Sequence, residues 1–199
     1  WLILQAVLTL TDVYNFDTDL FPPTLLLYGI LPPVLTIIAL FSLNAGRQFI
    51  DSLSLRAITY LHIVRVPVEI VLYWLFLAKA VPELMTFAGR NFDIVAGVTA
   101  PMIAYFGFVK ARIGRRTILL WNFIGLGLLL NIVINAFFSA PSPVQKFAFE
   151  QPNIAMLHFP FSWLPTFVVP IVLFAHLISI RHLLRQSRCP SSPKRFNSA

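Results

Sequence analysis

The most restrictive feature of this sequence is a series of continuously apolar blocks, most of them about 20 residues long, the length at which a helix spans a bilayer. Hydrophobic residues make up 58% of the 199-residue chain and charged residues only 12%, whereas soluble domains are roughly half apolar and a quarter charged. The blocks do not alternate with period two, which argues against a β-barrel. The sequence therefore predicts an all-α fold, a polytopic integral membrane helix bundle.

We expect about six transmembrane helices, of which the first, at residues 1–13, is truncated because it is too short to span alone. The other predicted spans are residues 24–43, 57–80, 94–109, 117–138 and 154–184. Several contain prolines, which should kink them. The last stretch exceeds one perpendicular crossing, so it is either one bent, tilted helix or a short interfacial piece followed by a span. The helical domain covers residues 1–186, and residues 187–199 form a basic tail that should be disordered.

The distribution of Lys and Arg predicts the orientation of the chain. The net charge of +7 arises at the ends of alternate apolar segments and in the tail, a pattern that marks cytoplasmic loops and not a nucleic-acid surface. The predicted cytoplasmic residues are Arg47, Arg56, Lys110, Arg112, Arg115, Arg116, Arg181, Arg185, Arg188, Lys194 and Arg195. The other connections carry Arg90 and Lys146. With six crossings, both termini are then cytoplasmic.

Four polar side chains interrupt the apolar segment 57–80 along one helical face. At about 100° of rotation per residue, His62, Arg65, Glu69 and Tyr73 fall on the same side. Arg65 and Glu69 are four residues apart and can pair along the helix, with Pro67 between them removing one backbone hydrogen bond. Ionisable groups inside a membrane are costly and indicate a functional site by default. We interpret this face as an intramembrane polar site; the alternative is a structural ion pair that ties the helix to a neighbour.

Two asparagines extend the polar site to another predicted span. Asn131 and Asn135 are one turn apart on one helical face. Asparagine side chains often form hydrogen bonds between membrane helices, so these residues either join two helices or line the same cavity as Arg65 and Glu69.

Polar residues also collect in two loops on the predicted outer side. The charged residues considered there are Glu83, Arg90, Asp93 and Glu150. They either form a mouth or lid over the polar site or pair with one another as ordinary loop residues.

Cofactor and enzyme signatures are weak in this sequence. No zinc-binding His-Glu-x-x-His, nucleophile elbow or Walker A loop occurs, and one cysteine, Cys189, allows no internal disulfide. We predict no metal and no cofactor, although His62 and His176 lie at depths compatible with bis-histidine haem ligation. These patterns favour a protein without enzymatic activity, and an intramembrane enzyme stays open as an alternative.

Three functional hypotheses follow from these patterns. The first is a small transporter- or channel-like protein with a gated polar site at His62, Arg65 and Glu69. The second is a non-catalytic subunit or assembly factor of a membrane complex, and the third is an intramembrane enzyme or haem protein. The expected partners are the lipid bilayer and other membrane subunits or a second copy of the chain, with no nucleic acid. Residues 62–76 and 82–94 resemble bacterial multi-pass proteins without an assigned activity, which implies a bacterial cytoplasmic membrane.

Overall fold

The structure, a computed structural model, describes residues 1–16 and 20–185, and these residues form helices and no strand. The helices are α1 (Leu2–Leu10), α2 (Leu25–Ser42), α3 (Asn44–Ser52), α4 (Leu55–Leu77), α5 (Asp93–Val109), α6 (Arg115–Ser139) and α7 (Leu164–Arg185). Short helical turns occur at Glu83–Met85 and Ala155–Leu157. The predicted tail at 187–199 lies outside the described residues.

The all-helical prediction is confirmed, and four helices are long and apolar enough to cross a membrane: α2, α4, α6 and α7. The apolar helix α5 is shorter, and α1 has only 9 residues. The number of crossings, about six, therefore stays a prediction. Residues 154–184 form two pieces, because the turn at Ala155–Leu157 precedes the separate helix α7.

Prolines coincide with departures from regular α-helical geometry. The backbone widens to π-helical hydrogen bonding at Leu25–Ile30, just before Pro32 and Pro33, and at Leu164–Val168. It tightens to a 3₁₀ turn at His62–Val64, ahead of Pro67. Proline lacks the N–H and its ring presses on the carbonyl four residues earlier, so the regular hydrogen-bond ladder cannot continue through these positions.

Helices α4, α5, α6 and α7 pack together, and α2 packs against α3 and α7. Two apolar clusters fill the interior. One contains Leu72, Leu75, Val81, Met85, Leu129, Ile132, Ala155, Met156 and Val172. The other contains Ile50, Ile58, Ala175 and Ile178. Since α4 contributes Ile58 to one cluster and Leu72 to the other, the polar residues between these positions lie in a separate layer near the middle of the bundle.

The connections between the helices meet at the two ends of the bundle. At one end, Arg181 and Arg185 donate hydrogen bonds to the Asp51 carboxylate, with Arg181 Nε at 3.2 Å, and they hold the pKa of Asp51 below its ordinary value. At the other end, Gln151 Nε2 donates to the carbonyl of Val81 at 2.6 Å. The strongly basic connections and the weakly charged ones therefore lie at opposite ends.

Polar contacts attach α1 to the rest of the bundle. Thr9 Oγ1 lies 2.8 Å from Ser162 Oγ, and Gln5 Nε2 donates to the carbonyl of Tyr28 at 3.1 Å. Gln5 and Thr9 are both buried. Helix α1 is therefore joined to α2 and to the segment that leads into α7.

Candidate functional site

A buried polar layer crosses the centre of the bundle. Its members are His62, Arg65, Glu69, Asn91, Asp93, Asn122 and His176, each 5% exposed or less. The residues from α4 lie on one face because their spacings of three and four match the helical repeat. Small residues of α5 allow that helix to approach this face: a Cβ added at Gly97 would lie 3.1 Å from the Cβ of Arg65.

The guanidinium of Arg65 is the centre of the polar layer. Its Nη1 donates to Asp93 Oδ1 at 2.9 Å and to the carbonyl of Gly125 at 3.2 Å. Its Nη2 also donates to the Gly125 carbonyl at 3.2 Å, and it lies 2.8 Å from His176 Nε2. Four helices, α4 to α7, therefore meet at one cation. The planar five-donor geometry of arginine suits it to bind several partners at once.

The ion pair of Arg65 differs from the one expected along α4. The carboxylate that pairs with Arg65 belongs to Asp93, and Glu69 instead accepts a hydrogen bond from Asn91 Nδ2. The same Asn91 amide donates to the carbonyl of Met85 at 3.1 Å, and its oxygen accepts from the Asp93 N–H at 3.1 Å. A buried carboxylate needs hydrogen-bond partners. The loop between α4 and α5 folds into the bundle, and its Asn91 supplies a hydrogen bond to Glu69. The same loop brings the Asp93 carboxylate to Arg65.

Two histidines form the side of the layer away from that loop. The rings of His62 and His176 stack with centroids 4.1 Å apart, and the Trp121 ring packs edge-on against His62. His176 Nδ1 lies 3.1 Å from Asn122 Oδ1, so both of its ring nitrogens have partners. Within the described residues, neither ring nitrogen of His62 has a hydrogen-bond partner.

This arrangement does not fit a bis-histidine haem. Axial histidines lie on opposite faces of the macrocycle, and each directs a nitrogen at the iron. In the structure the two rings stack directly on each other, and the nitrogens of His176 contact Asn122 and Arg65. The described part of the chain holds no group of three or more His, Cys, Asp or Glu residues placed to bind a metal ion.

Gly125 allows α6 to come this close to the site. A Cβ added there would lie 2.6 Å from His176 Cε1 and 3.7 Å from Arg65 Nη1. The same residue provides the carbonyl that accepts two hydrogen bonds from Arg65. A glycine is therefore required where the α6 backbone contacts both charged and aromatic side chains.

A cavity of about 440 Å³ reaches the polar layer, a volume within the usual range for small-molecule sites. Its polar lining includes Arg65, Glu69 and Asp93. Its walls are predominantly apolar and come from α2, α6 and α7, with Ile30, Val133 and Val168 as examples. The cavity thus connects an apolar space between helices with the charged centre of the bundle.

The remaining residues of the predicted sites lie elsewhere. Tyr73 stacks on Phe87 with centroids 4.9 Å apart. Asn131 Nδ2 donates to the carbonyl of Arg90 at 2.8 Å, and Asn135 Nδ2 donates to Asn131 at 3.3 Å, so the asparagines join α6 to a loop. Three of the charged loop residues are exposed: Glu83, Arg90 and Glu150. The structure therefore brings together His62, Arg65, Glu69 and Asp93 from the predicted set, and leaves the others apart.

Sequence reasoning missed four contributors to the site. Asn91, Asn122 and Gly125 were not singled out as site residues, and His176 was considered only for haem. A partial signal exists in α6 and α7, because Asn122, Gly125 and His176 interrupt apolar segments. Asn91 belongs to the polar outer loops that the sequence predicts as a mouth or as mutually paired loop residues, and no local signal predicts its contact with Glu69.

Comparison with known proteins gives a family but no characterised relative. No curated protein and no solved structure matches the chain. Residues 22–184 match the family described as a domain of unknown function, DUF8737. The matched range contains α2 to α6, all of α7 except Arg185, and with them the whole polar layer. The chain therefore belongs to the DUF8737 family.

Proposed function

We propose that this chain is a small transporter-like, multi-pass protein of a bacterial cytoplasmic membrane, and that its polar layer forms the binding site. The membrane assignment is supported by the four apolar helices of spanning length. It is also supported by the many large apolar side chains exposed on them, such as Trp74, Phe123 and Ile124. In soluble monomers, large contiguous apolar patches of this kind are rare.

One observation supports transport above a purely structural role: the cavity contacts Arg65, Glu69 and Asp93. An ion pair whose only role is to hold helices together gains no stability from an adjacent cavity. Atoms that border an empty space lose their van der Waals contacts on that side. In membrane transporters, binding sites lie near the bilayer midplane between helices, often where helices are irregular. The 3₁₀ turn at His62–Val64 next to Pro67 gives α4 such an irregular region.

The chain crosses the membrane about six times in this proposal, with α5 and the segment containing α1 added to the four long helices. Both termini are cytoplasmic. The basic connections lie at the end of the bundle that holds Asp51, Arg181 and Arg185. Loops rich in Lys and Arg remain on the cytoplasmic side of the membrane.

The orientation is tested with single cysteines in a Cys189→Ser background. Ser54 and Ala88 are both exposed and lie in connections at opposite ends of the bundle. A cysteine at Ala88 should react with an impermeant thiol reagent added to intact cells, whereas one at Ser54 should react only after the cells are opened. The reverse pattern would contradict the proposed orientation.

A second candidate is a non-catalytic subunit or assembly factor, and the contacts of Arg65 favour it. The guanidinium binds partners on α5, α6 and α7, as expected for a group that fixes the arrangement of helices. In that case the cavity has no ligand, and the exposed apolar surface is covered by other subunits.

The two candidates differ in the accessibility of the cavity from water. Val68 lines the cavity, whereas Ala100 on α5 is fully buried outside it. In proteoliposomes, a cysteine at Val68 should react with a small water-soluble thiol reagent applied from either side, as alternating access requires. A cysteine at Ala100 should stay unlabelled. Reaction from one side alone would contradict transport, and reaction from neither side would favour the subunit.

A further inference from the structure

We propose that the cavity binds an amphipathic molecule with an apolar body and a single cationic head group, and that this head group pairs with Glu69. This inference rests on the proposed function, because it names the class of substrate for the same site. It is argued from three features: the lining of the cavity, the contacts of the Arg65 cation that borders it, and the contacts of its carboxylates.

The lining of the cavity is suited to an apolar body. Six of its wall residues show its character: Leu26, Ile30, Ile134, Phe137, Leu164 and Val168. They belong to α2, α6 and α7, so the walls come from three helices. An alkyl or ring system placed there would replace contact with lipid chains by contact with side chains, whereas a hydrated solute would lose its water along most of the wall.

The cation at the polar end of the cavity is already neutralised. Nη1 and Nη2 of Arg65 bind Asp93, the Gly125 carbonyl and His176, whereas its buried Nε–H has no hydrogen-bond partner among the described residues. Arg65 is also only 2% exposed. An anionic head group would have to displace Asp93 from the guanidinium, and this would leave the Asp93 carboxylate buried without its counter-ion. Such a loss is costly in a low-dielectric site. The site is therefore not preorganised for anions.

The carboxylates at this end have an unused acceptor. Glu69 Oε1 accepts from Asn91, but Glu69 Oε2 is buried and has no hydrogen-bond partner among the described residues. Two carboxylates and one guanidinium, those of Glu69, Asp93 and Arg65, border the cavity. A cationic head group beside Glu69 would donate the missing hydrogen bond to Oε2 and would neutralise the charge of the second carboxylate. Buried charges need both a counter-ion and hydrogen-bond partners.

Three probes with the same chain and different head groups test this inference: dodecylammonium, dodecanol and dodecanoate. The protein carries Cys189→Ser and a cysteine at Val68, in nanodiscs of zwitterionic lipid. The rate of alkylation by N-ethylmaleimide, which crosses membranes, is measured with and without each probe. Dodecylammonium should slow alkylation about tenfold when it occupies about 90% of the sites, as simple competition requires. Dodecanol and dodecanoate should slow it much less.

One control cysteine and two variants identify the site. A cysteine at Ile70, exposed on the opposite side of α4, should react at the same rate with and without every probe, because only a bilayer-wide effect would reach it. Glu69→Gln should abolish the protection by dodecylammonium. Glu150→Gln, which changes an exposed carboxylate, should retain it. The comparison of the three probes on the protein with Glu69 intact decides the question even if Glu69→Gln fails to fold.

The outcomes separate this inference from the proposed function. Equal protection by dodecanoate, or protection that survives Glu69→Gln, would overturn the inference. Alkylation at Val68 that no probe slows would do the same, while the cavity itself would remain accessible. A cysteine at Val68 that N-ethylmaleimide does not modify at all would overturn the proposed function, and the inference with it.

Discussion

Replacing Asp93 by leucine should lower the free energy of unfolding by about 3–5 kcal/mol, the usual cost of breaking a buried ion pair. Asp93 Oδ1 lies 2.9 Å from Arg65 Nη1, and Arg65 is 2% exposed. The substitution leaves the guanidinium buried without its carboxylate. The free energy of unfolding is measured by denaturant titration in mixed micelles. The observable is the fraction of protein that elutes as a folded, monodisperse species.

Three further variants test the physical reason. The double variant Arg65→Leu with Asp93→Leu should be less destabilised than Asp93→Leu alone, because it leaves no unpaired cation. Glu150→Gln removes an exposed carboxylate and should behave like the wild type. Glu69→Leu should cost less than Asp93→Leu, since Glu69 does not form the ion pair with Arg65. If Glu69→Leu proves the more destabilising of the two, the pair along α4 is the stronger one and the pairing described here is wrong.

Replacing Gly125 by alanine should destabilise the protein by about 1–3 kcal/mol, the typical cost of overpacking a well-packed interior. The added Cβ would lie 2.6 Å from Cε1 and 2.9 Å from Nε2 of His176. That ring cannot move freely, because Asn122 and Arg65 contact its two nitrogens. Relieving the contact therefore requires either a shift of α6 or the loss of a hydrogen bond in the polar layer.

Gly127 provides the matched control on the same helix. A Cβ added at Gly127 meets no atom within 4 Å, and alanine is favoured over glycine in helices by up to about 1 kcal/mol. Gly127→Ala should therefore be neutral or stabilising. Thermal unfolding of both variants in the same detergent gives the comparison. Equal melting temperatures for the two alanine variants would show that α6 does not press against His176.

The sequence alone was sufficient for the class of fold and for the positions of the long helices. Block length and continuous apolarity are local properties that any helix crossing hydrocarbon must have. The ends of α2, α4 and α6 therefore agree with predicted spans to within three residues, and α7 covers the second part of the predicted span 154–184. The shortest elements were not settled in this way. Helix α3 lies between two predicted spans, where the sequence predicts no helix, and for residues 154–184 the sequence leaves two alternatives. A helix of about two turns and a proline-rich turn carry little periodic signal.

The sequence was also sufficient to place His62, Arg65 and Glu69 on one face, since residues three and four apart share a helical face. It did not determine which carboxylate pairs with Arg65. The spacing rule applies within one helix and therefore favoured Glu69. Asp93 is predicted as an outer-loop residue. It reaches Arg65 because the loop before it folds into the bundle, where Val81, Met85 and Asn91 are buried. No local sequence pattern predicts this burial.

The tertiary structure alone decided which side chains surround Arg65. Its contacts with Gly125 and His176 depend on the rotation of α6 and α7 about their own axes. That rotation is set by close packing, above all by the missing side chain at Gly125, which allows the α6 backbone to reach the guanidinium. A sequence specifies such a position only through the sum of many contacts between distant segments. The sequence therefore predicts some of the residues of the buried site, but it does not predict which of them pair with one another.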